Sequence, residues 1–382
     1  MTTLGEVQEA AELLSGVARR TPILTSSSLD ERVGGRVLIK AEHLQRTGSF
    51  KVRGAYVRLH RCTRGDSARG VVAASAGNHA QGVAWAASEL SIASTIVMPV
   101  FAPLQKVEAT RRYGAEVVLH GETFEESLAH AQELAADRGA LFVHPFDDPH
   151  VIAGQGTVGL EILAEAGEVD RVVVPLGGGG LISGIATAVK ALAPGVEVVG
   201  VHPAATPHTI ADGAAVKEPG ELTRPIIDDL VDRVIELGED DIADAILFAL
   251  ERTKQVIEGA GVLALAAMLA GAVPAAGRTV AVCSGGNIDP GLLMRVIRHG
   301  LGAAHRYLVV SLTLDDRPGQ LRMVMDLLAS MLVNVLSVVH HRSSPRLAVG
   351  AVEVELTLET RDRSHADEVV RALEEAGYGV RK

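Results

Sequence analysis

The chain has 382 residues, 47% of them hydrophobic, and a formal net charge of −11 at pH 7. This length and hydrophobic content predict a globular protein of two or three domains. The acidic balance, without any run of Lys or Arg, argues against nucleic-acid and polyanion partners, which are normally bound by clustered cations.

Membrane and disulfide-rich classes are also disfavoured. The longest apolar run, VLALAAMLAGAV at 262–273, is too short to cross a bilayer. The two cysteines, Cys62 and Cys283, are far apart and neither belongs to a CxxC pair, which favours a reducing compartment over a disulfide framework or a zinc site. We therefore expect a cytoplasmic protein with no membrane partner.

The first element is a predicted amphipathic helix. In MTTLGEVQEAAELL, Thr3 and Glu6 have the spacing of a capping box, and the acidic character is not that of a signal peptide. From about residue 37 to 300, short β-branched runs such as VLIKA, GVVAASA, STIVMPV and RVVVPL alternate with helical patterns. This alternation predicts an α/β body with a mostly parallel sheet, in which ligands bind at the carboxyl ends of the strands.

The pattern changes near residue 303. From RYLVVSLTL to YGVRK, the sequence predicts a strand, a helix, two strands, a helix and a short last strand. This β-α-β-β-α-β order is that of an α+β ferredoxin-like domain. We therefore predict a catalytic body at 1–302, made of two α/β subdomains, and a second domain at 303–382.

The turn PLGGGGLISG at 175–184 joins a predicted buried strand to a helix. Its four glycines, Gly177 to Gly180, would expose backbone N–H groups beside the positive end of the helix, an arrangement that suits a phosphate. A flexible turn is the simpler interpretation of a lone glycine run, but a turn needs only one or two glycines. Neither GxGxxG nor GxxxxGK[ST] fits, so we do not expect a nucleotide phosphate.

Two other turns also follow predicted strands. SAGNHAQG at 75–82 offers backbone N–H groups to a carboxylate and the amide of Asn78 to a ring hydroxyl, although alone it is more typical of an ordinary helix cap. CSGGN at 283–287 brings the hydroxyl of Ser284 to the same edge of the sheet, and by itself is a loop with a serine. The three turns together predict one site.

Lys51 lies in TGSFKVRGA at 47–55, directly after Phe50 at a predicted helix start. An apolar neighbour and a helix N-terminus both favour a desolvated amine, which is the reactive form of a lysine. A solvated surface lysine would be the better interpretation without the other turns. With them, the set suits a phosphorylated aldehyde held as an imine.

These motifs occur in a familiar order, together with TIADGAAVKEPGELT at 209–223 and LERTKQVIEGAG at 250–261. The chain thereby resembles the serine/threonine dehydratase family of fold-type II pyridoxal-phosphate enzymes, and its C-terminal domain resembles ACT domains. The resemblance covers nearly the whole chain. It implies pyridoxal 5'-phosphate as the cofactor, a small amino acid as the substrate, and a homodimer or a homotetramer.

The resemblance also implies roles for the motif residues. Lys51 forms the imine with the cofactor, beside Phe50, and then serves as the base. Ser284 is a neutral hydroxyl facing the pyridine nitrogen, which favours elimination over transamination. Asn78 contacts the phenolic oxygen of the cofactor. The implied phosphate site comprises Gly177, Gly178, Gly179, Gly180 and Leu181, and the implied substrate-carboxylate site comprises Ser75, Ala76, Gly77, Asn78 and His79.

The implied reaction is α,β-elimination of the β-hydroxyl of L-threonine, which gives 2-oxobutanoate and ammonia, or of L-serine, which gives pyruvate. Preference for serine is an open alternative. A serine racemase is disfavoured, because relatives that racemise tend to carry Ser where this chain has Ala76. An inactive amino-acid-sensing protein is disfavoured by the intact Lys51, Asn78, glycine run and Ser284.

The segment after Val201 departs from the family pattern. Relatives usually have a longer connection here, whereas this chain passes from His202-Pro203 to Thr209 in a few residues. Some relatives bind a cation near this segment through a carboxylate, which is missing here, so the metal content is left open. We interpret His202 and His208 as surface or packing residues, because no HxxxH pair lies near them.

The C-terminal domain carries LTLDDRPGQL at 312–321, with Pro318 and Gly319 at a strand-to-helix corner, as in ACT domains. Pro318 presets the first helical turn, and Gly319 leaves backbone N–H groups open to a carboxylate. The alternative is a domain that only pairs subunits, because Met331-Leu332-Val333-Asn334 replaces the glycine that often precedes the second strand. The predicted amino-acid effector site comprises Asp316, Pro318, Gly319, Gln320, Leu321 and Asn334.

Overall fold

The computed structural model describes residues 1–62, 69–205, 209–216, 218–303, 305–342 and 348–381. The chain forms two compact units, Met1–Asp289 and Pro290–Lys382. The described helices of the first unit are α1 Leu4–Leu14, α2 Ser27–Val33, α3 Lys51–His60, α4 Asn78–Glu89, α5 Leu104–Arg112, α6 Phe124–Arg138, α7 Pro149–Glu165, α8 Gly180–Leu192, α9 Thr223–Leu230, α10 Glu239–Phe248 and α11 Gly259–Leu269. Its described strands are β1 Ile23–Thr25, β2 Val37–Lys40, β3 Val71–Ala74, β4 Ser94–Met98, β5 Glu116–Leu119, β6 Leu141–Phe142, β7 Arg171–Pro175, β8 Glu197–Pro203, β9 Arg233–Leu237 and β10 Thr279–Val282.

The first unit is built on two sheets. The smaller sheet has the order β5-β4-β3-β6 and is parallel throughout. The larger sheet has the order β1-β2-β10-β7-β8-β9 and is parallel except for β1, which pairs antiparallel with β2. The predicted α/β body with mostly parallel sheets is confirmed.

Burial explains which strands the sequence revealed. Strands β2, β3, β4 and β10 are buried at every position, as expected for parallel strands covered on both faces, so their sequences are mostly apolar. Strand β9 lies at the edge of the larger sheet and is mostly half-buried or exposed, and it was not predicted. The predicted capping box at Thr3 and Glu6 is present and begins α1.

The second unit begins with α12 Pro290–Ala303 and continues with a four-stranded antiparallel sheet in the order β12-β13-β11-β14. Its element order confirms the predicted β-α-β-β-α-β pattern. Helix α12 ends shortly before β11 and packs against it. The division between the compact units therefore falls at 289/290, earlier than the predicted 302/303 boundary. The remaining elements are β11 Tyr307–Asp315, α13 Gln320–Ser330, β12 Asn334–His341, β13 Ala351–Glu359, α14 Arg363–Glu375 and β14 Gly379–Arg381.

Across the described residues, every helix is too short or too polar to cross a membrane.

Candidate active site

The turns singled out in the sequence lie at the carboxyl ends of the two parallel sheets. Because β10 pairs with β7, the turns that follow these two strands are neighbours. In the smaller sheet β3 pairs with β6, which places the turn at 75–77 beside the loop at 143–148. The start of α3 contacts both sheet edges: the Phe50 N–H donates to the Ser284 carbonyl at 3.1 Å, and Lys51 Nζ donates to the Pro145 carbonyl at 2.9 Å.

The glycine turn presents a row of backbone donors. In the described part of the chain, no backbone N–H from Gly177 to Leu181 donates to a protein acceptor, and all but Gly177 of these residues are buried. A buried N–H without a partner costs about 1–3 kcal/mol, so a row of them is expected to bind a ligand. The turn also opens α8, whose N-terminus favours negative charge. The predicted phosphate cradle therefore has the required geometry.

Neighbouring side chains hold the glycine turn tightly from outside. A Cβ on Gly178 would lie 2.3 Å from the ring of Phe146, and a Cβ on Gly179 would lie 2.7 Å from Thr223 Oγ1. Gly179 also has a φ of 95°, in the left-handed region that favours glycine. Thr223 Oγ1 donates to the Gly178 carbonyl at 2.8 Å, and Asp147 accepts the Thr223 N–H at 3.2 Å.

Lys51 is the first residue of α3 and is half-buried. Its Nζ lies 5.2 Å from the centroid of the Phe50 ring. Burial lowers the pKa of Lys51 to about 8, and the negative charge of Glu258 opposes this shift. At pH 7 about one tenth of the amine is therefore neutral, against less than a thousandth for a solvated lysine. The predicted desolvated amine is thus supported by burial, whose effect on the pKa outweighs the opposing charge of Glu258.

The turn at 75–79 ends β3 and begins α4. The Ser75 Oγ accepts the Gly77 N–H at 3.0 Å, while the N–H groups of Ala76, Asn78 and His79 have no acceptor among the described residues. The ring of His79 is buried, and its Nε2 contacts the Val143 carbonyl at 3.0 Å. Burial lowers the pKa of His79 to about 3, so the ring is neutral. Only the backbone N–H of His79 is thus available to a carboxylate.

The amide of Asn78 connects the two sheets. Its Oδ1 accepts from Asn287 Nδ2 at 2.8 Å, and its Nδ2 donates to Glu258 Oε1. Glu258 is buried at the start of α11, and burial, reinforced by Asp212, raises its pKa to about 7. Ser284, also buried, is held by its backbone N–H, which donates to the Gly261 carbonyl at 3.1 Å.

Comparison with known proteins agrees with this geometry. The family model described as "Pyridoxal-phosphate dependent enzyme" matches residues 14–285. The L-threonine ammonia-lyase of Thermotoga maritima is 46% identical over 100% of this chain and 99% of its own length. This chain belongs to the family of pyridoxal-phosphate-dependent enzymes. The resemblance inferred from the motifs is confirmed.

Two solved structures resemble this chain in fold over at least three quarters of its length. A threonine deaminase from T.th. is 42% identical with a TM-score of 0.71, and the match covers 75% of this chain and 99% of that chain. Maize serine racemase is 33% identical with a TM-score of 0.74, and the match covers 80% of this chain and 99% of that chain.

The residues present fit pyridoxal 5'-phosphate. The unpaired N–H groups at 177–181 match a phosphate monoester, and they lie at the same sheet edge as Ser284, since β7 and β10 are adjacent. Lys51 supplies an amine for the aldehyde, and Asn78 supplies an amide donor for a phenolic oxygen. Each chemical group of the cofactor thus has a counterpart among these residues. The predicted cofactor is confirmed by the family match.

Sequence reasoning missed four groups of this pyridoxal-phosphate enzyme. Pro145 and Phe146 follow the two-residue strand β6, which is too short to show a periodic pattern. Glu258 lies inside a quoted motif and Asn287 ends CSGGN, but neither was assigned a role. Both residues lie beside glycines in the sequence, but this position does not reveal that Asn78 is their partner.

The predicted effector residues do not all lie together. Asp316 to Leu321 follow β11, where Gly319 has a φ of 94° and caps α13. Asn334 pairs with Glu359 on β13, whereas the end of β11 pairs with Ala351. These two ends of β13 are about 25 Å apart at about 3.3 Å per residue. A single copy of the chain therefore does not bring Asn334 to the Gly319 corner.

The histidines near the short segment are accounted for in part. His202 is half-buried and its Nε2 contacts the Val216 carbonyl at 3.1 Å, which confirms a packing role. His208 lies outside the described residues. Within the ranges that are described, no group of three or more His, Cys, Asp or Glu side chains is arranged to hold a metal.

Proposed function

We propose that this chain is a lyase that converts L-threonine to 2-oxobutanoate and ammonia, and L-serine to pyruvate and ammonia. The observation that carries the proposal is the desolvated Lys51 amine at the same sheet edges as the unpaired N–H groups of the glycine turn. The full-length similarity to an L-threonine ammonia-lyase supports the choice of reaction.

Different residues of the site have different roles in the elimination. When bound, pyridoxal phosphate supplies an aldehyde that condenses with the substrate amine and a π-system that accepts electrons from the Cα–H bond. Lys51 Nζ removes the Cα proton, for which its lowered pKa is suited. The free N–H groups of Ala76, Asn78 and His79 orient the substrate carboxylate. The β-hydroxyl leaves with one proton as water, and one water molecule then hydrolyses the released enamine to the 2-oxo acid and ammonia.

We expect a higher kcat/KM for L-threonine than for L-serine. Ala74, Ala76 and Gly77 line the predicted carboxylate turn with small side chains, which leaves space for the extra methyl group of threonine. One methyl group in a pocket changes the barrier by only about 1–3 kcal/mol, so the ratio is expected to be as small as about fivefold at the lower end of this range. Steady-state formation of 2-oxobutanoate and of pyruvate measures it. A clear preference for serine would reassign the substrate.

A racemase is the second candidate, since the first unit also resembles maize serine racemase at a TM-score of 0.74. Racemisation needs a second acid on the face of the substrate opposite the lysine. The side chain of Ala76 has no ionisable hydrogen, so this position supplies no such acid. We therefore propose that D-serine does not accumulate during turnover, which a chiral assay on the same samples measures.

We also propose that residues 303–382 form an ACT domain that binds a small amino acid and regulates elimination. The supporting observations are the ferredoxin-like order and the left-handed Gly319 corner, whose first-turn N–H groups suit a carboxylate. The enzyme is proposed to be cytoplasmic and to assemble as a homodimer or a homotetramer. Assembly would allow residues of two copies, such as Asn334 and Gly319, to contribute to one effector site.

Regulation has a measurable consequence. Isoleucine or valine is expected to shift the substrate concentration at half saturation several-fold, which corresponds to a coupling of about 1–3 kcal/mol. Chains ending at 302 and at 289, the boundary of the compact unit, are expected to keep elimination and lose this shift. If no proteinogenic amino acid other than the substrates binds the full chain in calorimetry, the domain only pairs subunits.

A protein that senses amino acids without catalysis is the alternative of another class. Pyridoxal phosphate bound through Lys51 gives a visible absorption band, which threonine is expected to bleach in an active enzyme. A band that does not respond to threonine or serine would favour the sensing protein.

A further inference from the structure

We propose that Asn287 and Glu258 are positioning residues that fix the amide of Asn78 in one orientation, so that one N–H of Asn78 remains free to donate to the phenolic oxygen of the bound cofactor. The inference rests on the proposed function only for the cofactor that the site binds. The observation behind it is a chain of hydrogen bonds from Thr47 to Glu258, in which each donor and acceptor is fixed by its neighbour.

The chain begins at a backbone carbonyl. The backbone carbonyl oxygen of Thr47 can only accept a hydrogen bond. The atom of Asn287 that lies 2.6 Å from it must therefore be the amide nitrogen, Nδ2. The same Nδ2 lies 2.8 Å from Asn78 and donates its second hydrogen there. The atom of Asn78 that faces Asn287 is therefore the oxygen. The Nδ2 of Asn78 then faces the Glu258 carboxyl group and donates to it.

Counting donors leaves one free group. Both hydrogens of Asn287 Nδ2 are used, by Thr47 and by Asn78. One hydrogen of Asn78 Nδ2 is used by Glu258, and no other acceptor for this amide exists among the described residues. The second hydrogen is the remaining donor of the side chain. A flipped amide would put two N–H groups against each other at Asn287 and an oxygen against Glu258.

Glu258 keeps its accepting role in either protonation state. It is buried, and no cation forms an ion pair with it in the described part of the chain. Its raised pKa, about 7, means that both forms are populated near neutrality. A carboxylate accepts at both oxygens, and a carboxylic acid still accepts at one. The orientation of Asn78 is therefore independent of the proton on Glu258.

The backbone beside these hydrogen-bonded side chains has the conformation and the space that they require. Thr47 has a φ of 58°, which is uncommon outside glycine, and this conformation points its carbonyl at Asn287. A Cβ on Gly48 would lie 2.4 Å from Asn287 Oδ1, and a Cβ on Gly285 would lie 2.0 Å from Glu258 Oε1. The glycines of TGSFK and CSGGN thus leave room for the side chains that orient Asn78.

The test measures cofactor affinity and does not depend on turnover. Full-length protein freed of cofactor is titrated with pyridoxal phosphate, and the visible band gives the dissociation constant. Asn287→Asp keeps the shape of the side chain but removes its donors, and it is expected to weaken binding about tenfold or more. Asn78→Ala is expected to weaken binding similarly. The double variant is expected to bind no more weakly than Asn78→Ala, because Asn287 acts through Asn78.

A pair of variants at Glu258 provides the control and a second test. Glu258→Gln keeps an accepting oxygen and is expected to retain cofactor binding better than Glu258→Leu, which has none. Unchanged affinity in Asn287→Asp, effects that add in the double variant, or equal behaviour of Gln and Leu at 258 would each overturn the proposal. If Asn287→Asp does not fold, the comparison at 258 decides. Cofactor binding without threonine turnover in the wild type would count against the proposed reaction alone.

Discussion

Replacing Lys51 with alanine is expected to reduce elimination by about 10³-fold or more, because it removes both the covalent anchor of the cofactor and the base. The fold should survive this change. Lys51 begins α3, and among the described residues its side chain donates one hydrogen bond, to the Pro145 carbonyl at 2.9 Å. Alanine is also a good helix former. Turnover of L-threonine, the visible band of the cofactor and the melting temperature measure the three parts of this prediction.

Lys190→Ala is the matched control. Lys190 lies on α8 and pairs with Asp232 at 2.7 Å, away from the turns of the site. This variant is expected to keep both the band and the turnover. A Lys51→Ala protein that retained the imine band together with wild-type turnover would show that another amine holds the cofactor.

The pH dependence of cofactor capture identifies the amine independently. Only the neutral form of Lys51 attacks an aldehyde, and burial lowers its pKa to about 8. Capture of pyridoxal phosphate by the cofactor-free protein is therefore expected to rise with pH and to level off above about pH 8. Capture by a solvated lysine would continue to increase towards pH 10.

The catalytic turns could be predicted because their signals are local. Strands β3, β7 and β10 are almost entirely buried, so each is largely apolar, and each is followed by glycine within three residues. Parallel strands present their carboxyl ends at one edge of a sheet, which places the turns after β7 and β10 together, whereas the turn after β3 belongs to the smaller sheet. Asn78, Ser284 and the glycine turn were found in this way, whereas Lys51 was found from its position after Phe50 at a predicted helix start.

The groups that hold those turns could not be predicted, since their partners are distant in the chain. Phe146 packs against Gly178, and Glu258 meets Asn78 across 180 residues of sequence. No periodicity reports such contacts. Asn334 shows the same limit, because the register of β12 on β13 decides which end of the sheet it occupies. The 302/303 boundary depended likewise on the packing of α12 against β11.

The contact between Phe146 and the glycine turn leads to the second large effect. Gly178→Ala is expected to weaken cofactor binding about tenfold or more. The new Cβ would lie 2.3 Å from the Phe146 ring, and relieving such overpacking typically costs about 1–3 kcal/mol. The turn or the ring has to move, and either movement misplaces the N–H groups from Gly177 to Leu181 that face the phosphate. Titration with pyridoxal phosphate and with inorganic phosphate as a competitor measures the loss.

Two further variants separate steric crowding from lost backbone freedom. Gly178→Ala combined with Phe146→Ala removes the crowding, so the double variant is expected to bind the cofactor more tightly than Gly178→Ala alone. Gly195→Ala is the matched control, because Gly195 is exposed, has no heavy atom within 4 Å of an added Cβ and lies between α8 and β8. It should bind as the wild type does. If Gly178→Ala binds normally, or if removing the Phe146 ring restores nothing, the turn is not held by this contact, and the unpaired N–H groups must be ordered by the phosphate itself.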